Sequence, residues 1–177
     1  MPCAILPIPD VLIKIRSAVP LGTTLVSPVM IETPAAAMEI AGQLEIADFV
    51  ALGTNDLMQT LFAADRDEPA LQHYPDPWAP VLYRFLALVA REAGGQVQRV
   101  QVCGLLSQLP GVLPVMLGLG FRAFSVDAAY IPYLAAVVRK THVDAASALA
   151  AEACHSKTSA AVRALLGTGA NPARPKH

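Results

Sequence analysis

Charge is scarce in this chain. Only 15% of its 177 residues are charged, and the formal net charge is -1. No basic face is on offer for a phosphate backbone or an anionic membrane, so neither nucleic acid nor a membrane surface is an expected partner. Aromatic residues are also few, at 6%, and they are not interleaved with a basic patch. Cysteine occurs three times, as Cys3, Cys103 and Cys154. An odd number at wide spacing gives neither a disulfide framework nor metal-ligand pairs, which fits a reducing cytoplasm. Long hydrophobic runs are missing: none approaches the roughly 18 residues that suggest a membrane span. The segment Met1–Asp10 is apolar but has three prolines and no basic start, so it does not read as a signal peptide.

What is present is apolar substance. Hydrophobic residues make up 54% of the chain, enough for the core of one domain and hardly for two. Four short apolar runs, Leu25–Ile31, Ala47–Leu52, Arg99–Cys103 and Arg122–Val126, read as buried strands. Each ends in a polar or glycine-containing cluster. Helical patterns lie between them. In the clearest one, Trp78, Val81, Leu82, Phe85 and Val89 fall on one face, with Asp76 at the N-cap, Pro77 first in the helix and Gly94-Gly95 to end it. Further helices are expected from Pro34 through Met38, and over about 56–63, 110–119, 131–140 and 143–153. Pro114 predicts a late start or a kink in the third of these.

Strand, polar cluster and helix, repeated four times, imply an α/β fold with a parallel sheet and right-handed crossovers. An open doubly wound sheet and part of a (β/α) barrel both satisfy the pattern. In both, chemistry gathers at the carboxyl ends of the strands. Glu32 follows the first strand and Asp56 the second. Two carboxylates on neighbouring strand ends can share a hard cation such as magnesium, and they can equally cap the helices that follow. Asn55 can hydrogen-bond an oxyanion or simply make a turn. Arg66 has the planar fork that suits a phosphate, or it is a solvated surface residue beside Asp65 and Asp67. Cys103, at the end of the third strand, is a thiol acid or nucleophile, or a buried inert side chain.

The segments Val29-Met30-Ile31-Glu32-Thr33-Pro34-Ala35-Ala36, Ala51-Leu52-Gly53-Thr54-Asn55-Asp56-Leu57-Met58-Gln59, Ala64-Asp65-Arg66, Val102-Cys103-Gly104 and Leu117–Ser125 stand in a fixed order. Together they resemble the phosphoenolpyruvate-utilising enzyme family. The likeness is greatest to enzyme I of the sugar phosphotransferase system, with pyruvate phosphate dikinase and phosphoenolpyruvate synthase behind it, and it spans roughly residues 26–153. It implies a parallel (β/α) barrel of the phosphoenolpyruvate/pyruvate-binding type, of which this chain holds the C-terminal half in four β/α units. It also implies Glu32 and Asp56 as ligands of Mg2+, and Asn55 and Arg66 as contacts to the phosphate of phosphoenolpyruvate. Cys103 corresponds to the acid that protonates the methylene carbon of enolpyruvate. The sequence departs from the family pattern at Leu105, where the family usually has Glu, and at Asp127, where it tends to have Ser.

The expected organisation is an N-terminal extension over 1–25, the half-barrel over 26–153, and a helix with a loose tail over 154–177. The resemblance implies phosphoryl transfer from phosphoenolpyruvate to a phosphocarrier or other histidine-bearing protein, since no histidine here lies in a matching context. The alternatives are an inactive remnant or regulatory phosphoenolpyruvate-binding module, and a dikinase-like or lyase barrel. The family draws further phosphate-binding arginines from the first four strands, which this sequence does not contain. A half-barrel exposes two sheet edges, so self-association or docking on a complementary half-barrel is expected.

Overall fold

The computed structural model describes residues 27–64, 68, 70–71 and 74–168. Four parallel strands form one sheet in the order of the chain: β1 (Pro28–Ile31), β2 (Phe49–Gly53), β3 (Val100–Cys103) and β4 (Ala123–Ser125). Their register aligns Ile31 with Leu52, Gly53 with Cys103, and Cys103 with Ser125. The carboxyl ends therefore finish side by side along one rim.

Eight α-helices accompany the sheet among the described residues: α1 (Pro34–Met38), α2 (Ile40–Ile46), α3 (Thr54–Leu61), α4 (Pro80–Ala93), α5 (Val112–Gly118), α6 (Ile131–Lys140), α7 (Val143–His155) and α8 (Ser159–Leu165). Sequential strand order decides between the two architectures that the sequence allowed. Right-handed crossovers between successive neighbours put every connecting helix on the same face, as in a barrel, whereas a doubly wound sheet reverses its order and covers both faces. The structure is a four-stranded parallel α/β unit, consistent with part of a (β/α) barrel. Val29, Ile31, Val50, Leu52, Val100 and Val102 are buried against the helices, while Met30, Gln101 and Cys103 on the other face are only half-buried.

The longest helix departs from the expectation in its start and its face. It begins at Pro80, not Pro77, and its buried residues are Pro80, Leu82, Tyr83, Leu86, Val89, Ala90 and Ala93, with Val81 41% exposed. Asp76 is taken up by a turn, accepting from the Trp78 amide at 3.0 Å. Trp78 packs in the core ahead of the helix, beneath the Arg163 guanidinium at 5.5 Å from its ring. Tyr83 is fully buried and donates to the Pro77 carbonyl at 2.8 Å; burial first, and the Asp76 carboxylate second, push its phenol well up. Gly94 closes the helix at φ +54°, as its position in the sequence suggests. Pro114 is accommodated by the late start of α5, whose first turn needs no amide donor at that position.

Candidate functional site

Helix α3 is the hub of the rim. The sequence pattern puts a loop after β2, but the chain enters α3 directly at Thr54, so Asn55 and Asp56 lie in its first turn. That turn carries unpaired amides and the positive end of the helix, which favours anionic groups. Asp56 is held by Gln59, whose Nε2 donates to Asp56 Oδ1 at 2.7 Å.

Glu32 stands just beyond β1 and meets Asp56. Its carboxyl is pushed above its ordinary value of 4.5 by partial burial first, then by the charge of Asp56 and by a hydrogen bond with it. The capping alternative is decided for Glu32: α1 is capped by Thr33, whose Oγ1 accepts from the Ala36 amide at 3.2 Å. Asp56 is not a cap either, for α3 has no side-chain cap. Gly53 makes room for the pair. A Cβ at Gly53 would stand 2.8 Å from Glu32 Cγ and 2.9 Å from its Oε1. Thr60 Oγ1 lies 3.0 Å from the Glu32 carbonyl and fastens the end of β1 to α3.

The other side of α3 grips the end of β3. Buried Thr54 donates through Oγ1 to the Cys103 carbonyl at 2.7 Å. Asn55 Oδ1 accepts from the Leu105 amide at 3.1 Å, which fixes the amide orientation and leaves its Nδ2 a donor. Between them Gly104 turns at φ +105°. Cys103 is half-buried and its Sγ lies 3.6 Å from the Gln101 carbonyl. Leu105 points outward at 66% exposure. Asp127 also faces solvent, and its carboxylate accepts from the Ala129 amide at 2.9 Å.

Of the five residues singled out in the sequence, Glu32, Asp56, Asn55 and Cys103 thus come together on one rim. Arg66 lies outside the described residues. Gln59, Thr54 and Thr60 were not singled out, although the first two lie within the quoted Ala51–Gln59 segment. Among the described residues no three His, Cys, Asp or Glu side chains cluster for a metal ion. Two carboxyl groups facing each other from neighbouring strand ends are still a donor set that a hard dication fits. No described helix is long and apolar enough to cross a membrane.

Comparison with known proteins gives the family of the chain. Residues 13–143 match the profile of the PEP-utilising enzyme, PEP-binding domain. A phosphoenolpyruvate-protein phosphotransferase of Streptomyces coelicolor is 37% identical over 143 residues, covering 78% of this chain and 26% of that protein. One from Cupriavidus necator is 38% identical over 102 residues, covering 58% and 17%. Multiphosphoryl transfer protein 1 of Escherichia coli is 30% identical over 143 residues, covering 81% and 17%. The chain therefore spans about a quarter or less of the length of these relatives. It belongs to the PEP-utilising enzyme family, as a PEP-binding domain related to enzyme I of the phosphotransferase system.

Proposed function

We propose that this chain is the phosphoenolpyruvate- and Mg2+-binding unit of an enzyme I-like phosphotransferase, carried by residues 26–153 and working in the cytoplasm. The observation that carries the reading is the Glu32–Asp56 pair, held at neighbouring strand ends with Gly53 cleared beneath it. Glu32 and Asp56 would hold the cation. When bound, it would offset negative charge on phosphate and on the enolate that forms as the phosphoryl group departs. Asn55, with Nδ2 still able to donate, suits an oxyanion, and Arg66 would add a planar fork to the phosphate.

In the reaction the bond from phosphorus to the enol oxygen breaks, and a bond from phosphorus to a histidine nitrogen of another protein forms. The enolate left behind takes a proton at its methylene carbon from Cys103 Sγ, giving pyruvate, and the thiolate regains a proton from water. A second reading, binding without turnover, is supported by Leu105, which leaves Cys103 without the acidic neighbour usual in the family.

Calorimetric titration with phosphoenolpyruvate, with and without magnesium, tests the site. Magnesium-dependent binding that disappears in Asp56→Ala is the expected result. Absence of binding up to millimolar ligand would mean that the rim survives only as scaffold. Binding without phosphoryl transfer to any histidine-bearing domain would favour the second reading.

Self-association, or docking on a complementary half-barrel, goes with this function. Among the described residues β1 and β4 each have one strand neighbour, and each leaves an edge open to pairing. Sedimentation of the purified protein should show a dimer or larger species. A well-behaved monomer at micromolar concentration would rule out self-association.

A further inference from the structure

We propose that Thr54 is a positioning residue that holds the Cys103 thiol in place for proton transfer. This rests on the reading of Cys103 as the acid, and it concerns a residue with no part in holding ligand. Three observations converge on the corner from Cys103 to Leu105. Thr54, with no exposed surface, donates from Oγ1 to the Cys103 carbonyl at 2.7 Å. The next residue in α3, Asn55, accepts from the Leu105 amide at 3.1 Å. Gly104 between them adopts φ +105°, and a Cβ there would stand 2.6 Å from Thr54 Oγ1 and 2.8 Å from Asn55 Oδ1.

Two consecutive side chains of one helix therefore clamp the peptides on both sides of a glycine that alone can make the turn. The clamp spans a sequence separation of 49 residues. Its consequence falls on Cys103, whose carbonyl is one of the two gripped groups. A backbone fixed at that carbonyl fixes the direction of the adjoining Cα–Cβ bond, which leaves only rotation about that bond to place Sγ, here 3.6 Å from the Gln101 carbonyl. A general acid must lie within hydrogen-bond reach of the atom it protonates, so a corner that drifts loses the geometry before it loses the thiol. The same α3 turn carries Asp56, so the clamp also sets the distance from the thiol to the carboxylate pair.

The test reads the thiol directly and does not depend on turnover. The rate of alkylation of Cys103 by iodoacetamide is followed by peptide mapping, which separates it from Cys3 and Cys154, in wild type, Thr54→Val, Thr54→Ala and Thr54→Ser. Valine removes the donor and keeps the volume; alanine is the second variant, should valine fail to fold. Loss of the donor should open the corner and speed alkylation of Cys103 roughly threefold to tenfold, with Cys154 unchanged. Serine, which restores the hydroxyl without the methyl, should return the wild-type rate. An unchanged Cys103 rate in folded valine or alanine variants would overturn the proposal. So would a serine variant as fast as alanine, because the methyl and not the hydroxyl would then hold the corner. Failure of phosphoenolpyruvate to bind the wild-type protein would instead strike at the functional reading and leave these rates as they are.

Discussion

Gly118→Ala should cost about 3 kcal/mol of folding stability, at the upper end of what overpacking usually does, and lower the melting temperature by about 6–12 °C. Gly118 is the last residue of α5, and α7 crosses directly against it. A Cβ at Gly118 would lie 2.0 Å from the carbonyl oxygen of Ala146 and 2.5 Å from its carbonyl carbon. Both are backbone atoms of a helix and cannot swing aside. The next neighbour, the Ala150 Cβ at 3.0 Å, closes the remaining space. Ala146, Ala150 and Ala153 are all buried on the same side of α7, so the contact is built from small residues along its length. Relief would require the helices to separate, which would open voids beside Val115 and Met116 in the core. Gly42 is the control. It sits inside α2 with nothing within 4 Å of its absent Cβ, so Gly42→Ala should raise stability by up to about 1 kcal/mol. Urea unfolding of both variants measures the contrast. A Gly118→Ala protein as stable as wild type would mean that α5 and α7 are not in contact.

The strands were legible because each is a short apolar run closed by Gly or a polar residue, and in all four the structure keeps the core of the run. Legibility failed where two readings of the same residue type competed. Pro77 and Pro80 both suit a helix start, and Asp76 suits either a cap or a turn. The choice fell to Pro80 because the buried face of α4 is set by packing of Leu82, Leu86 and Val89. Periodicity alone put Val81 on that face, because it cannot say where the neighbouring elements lie. The rim was legible as a set of residues at strand ends, since parallel strands finish together. Which of them touch was not legible. Thr54 meets Cys103, and Thr60 meets the end of β1, across separations that only sheet register closes. Likewise Thr33, not Glu32, caps α1: both residues stand before Pro34, and only the backbone path shows which side chain turns back.

Gly53→Ala should abolish magnesium-dependent phosphoenolpyruvate binding, or weaken it at least roughly tenfold, while leaving the fold almost as stable as before. The backbone at Gly53 has φ -78° and ψ 88°, so alanine meets no strain there. The obstacle is the Glu32 side chain, with Cγ at 2.8 Å and Oε1 at 2.9 Å from the new methyl. Glu32 lies at the rim and can rotate toward solvent, which is why the cost to stability is small. Rotation parts it from Asp56, which is why the cost to the proposed cation site is large. A second signature follows from the same movement. In the folded protein Glu32 binds its proton more tightly than an ordinary carboxyl, so the stability it contributes is full below pH 4.5 and is lost as pH rises through its raised pKa. Gly53→Ala should flatten that dependence, because Glu32 turned toward solvent loses first its partial burial and then the Asp56 charge. Titration calorimetry gives the first result, and urea midpoints between about pH 4 and pH 8 give the second. Wild-type binding together with a flattened pH dependence would show that Glu32 moved without harm, and the cation would then have to be sought at Asp56 with other partners.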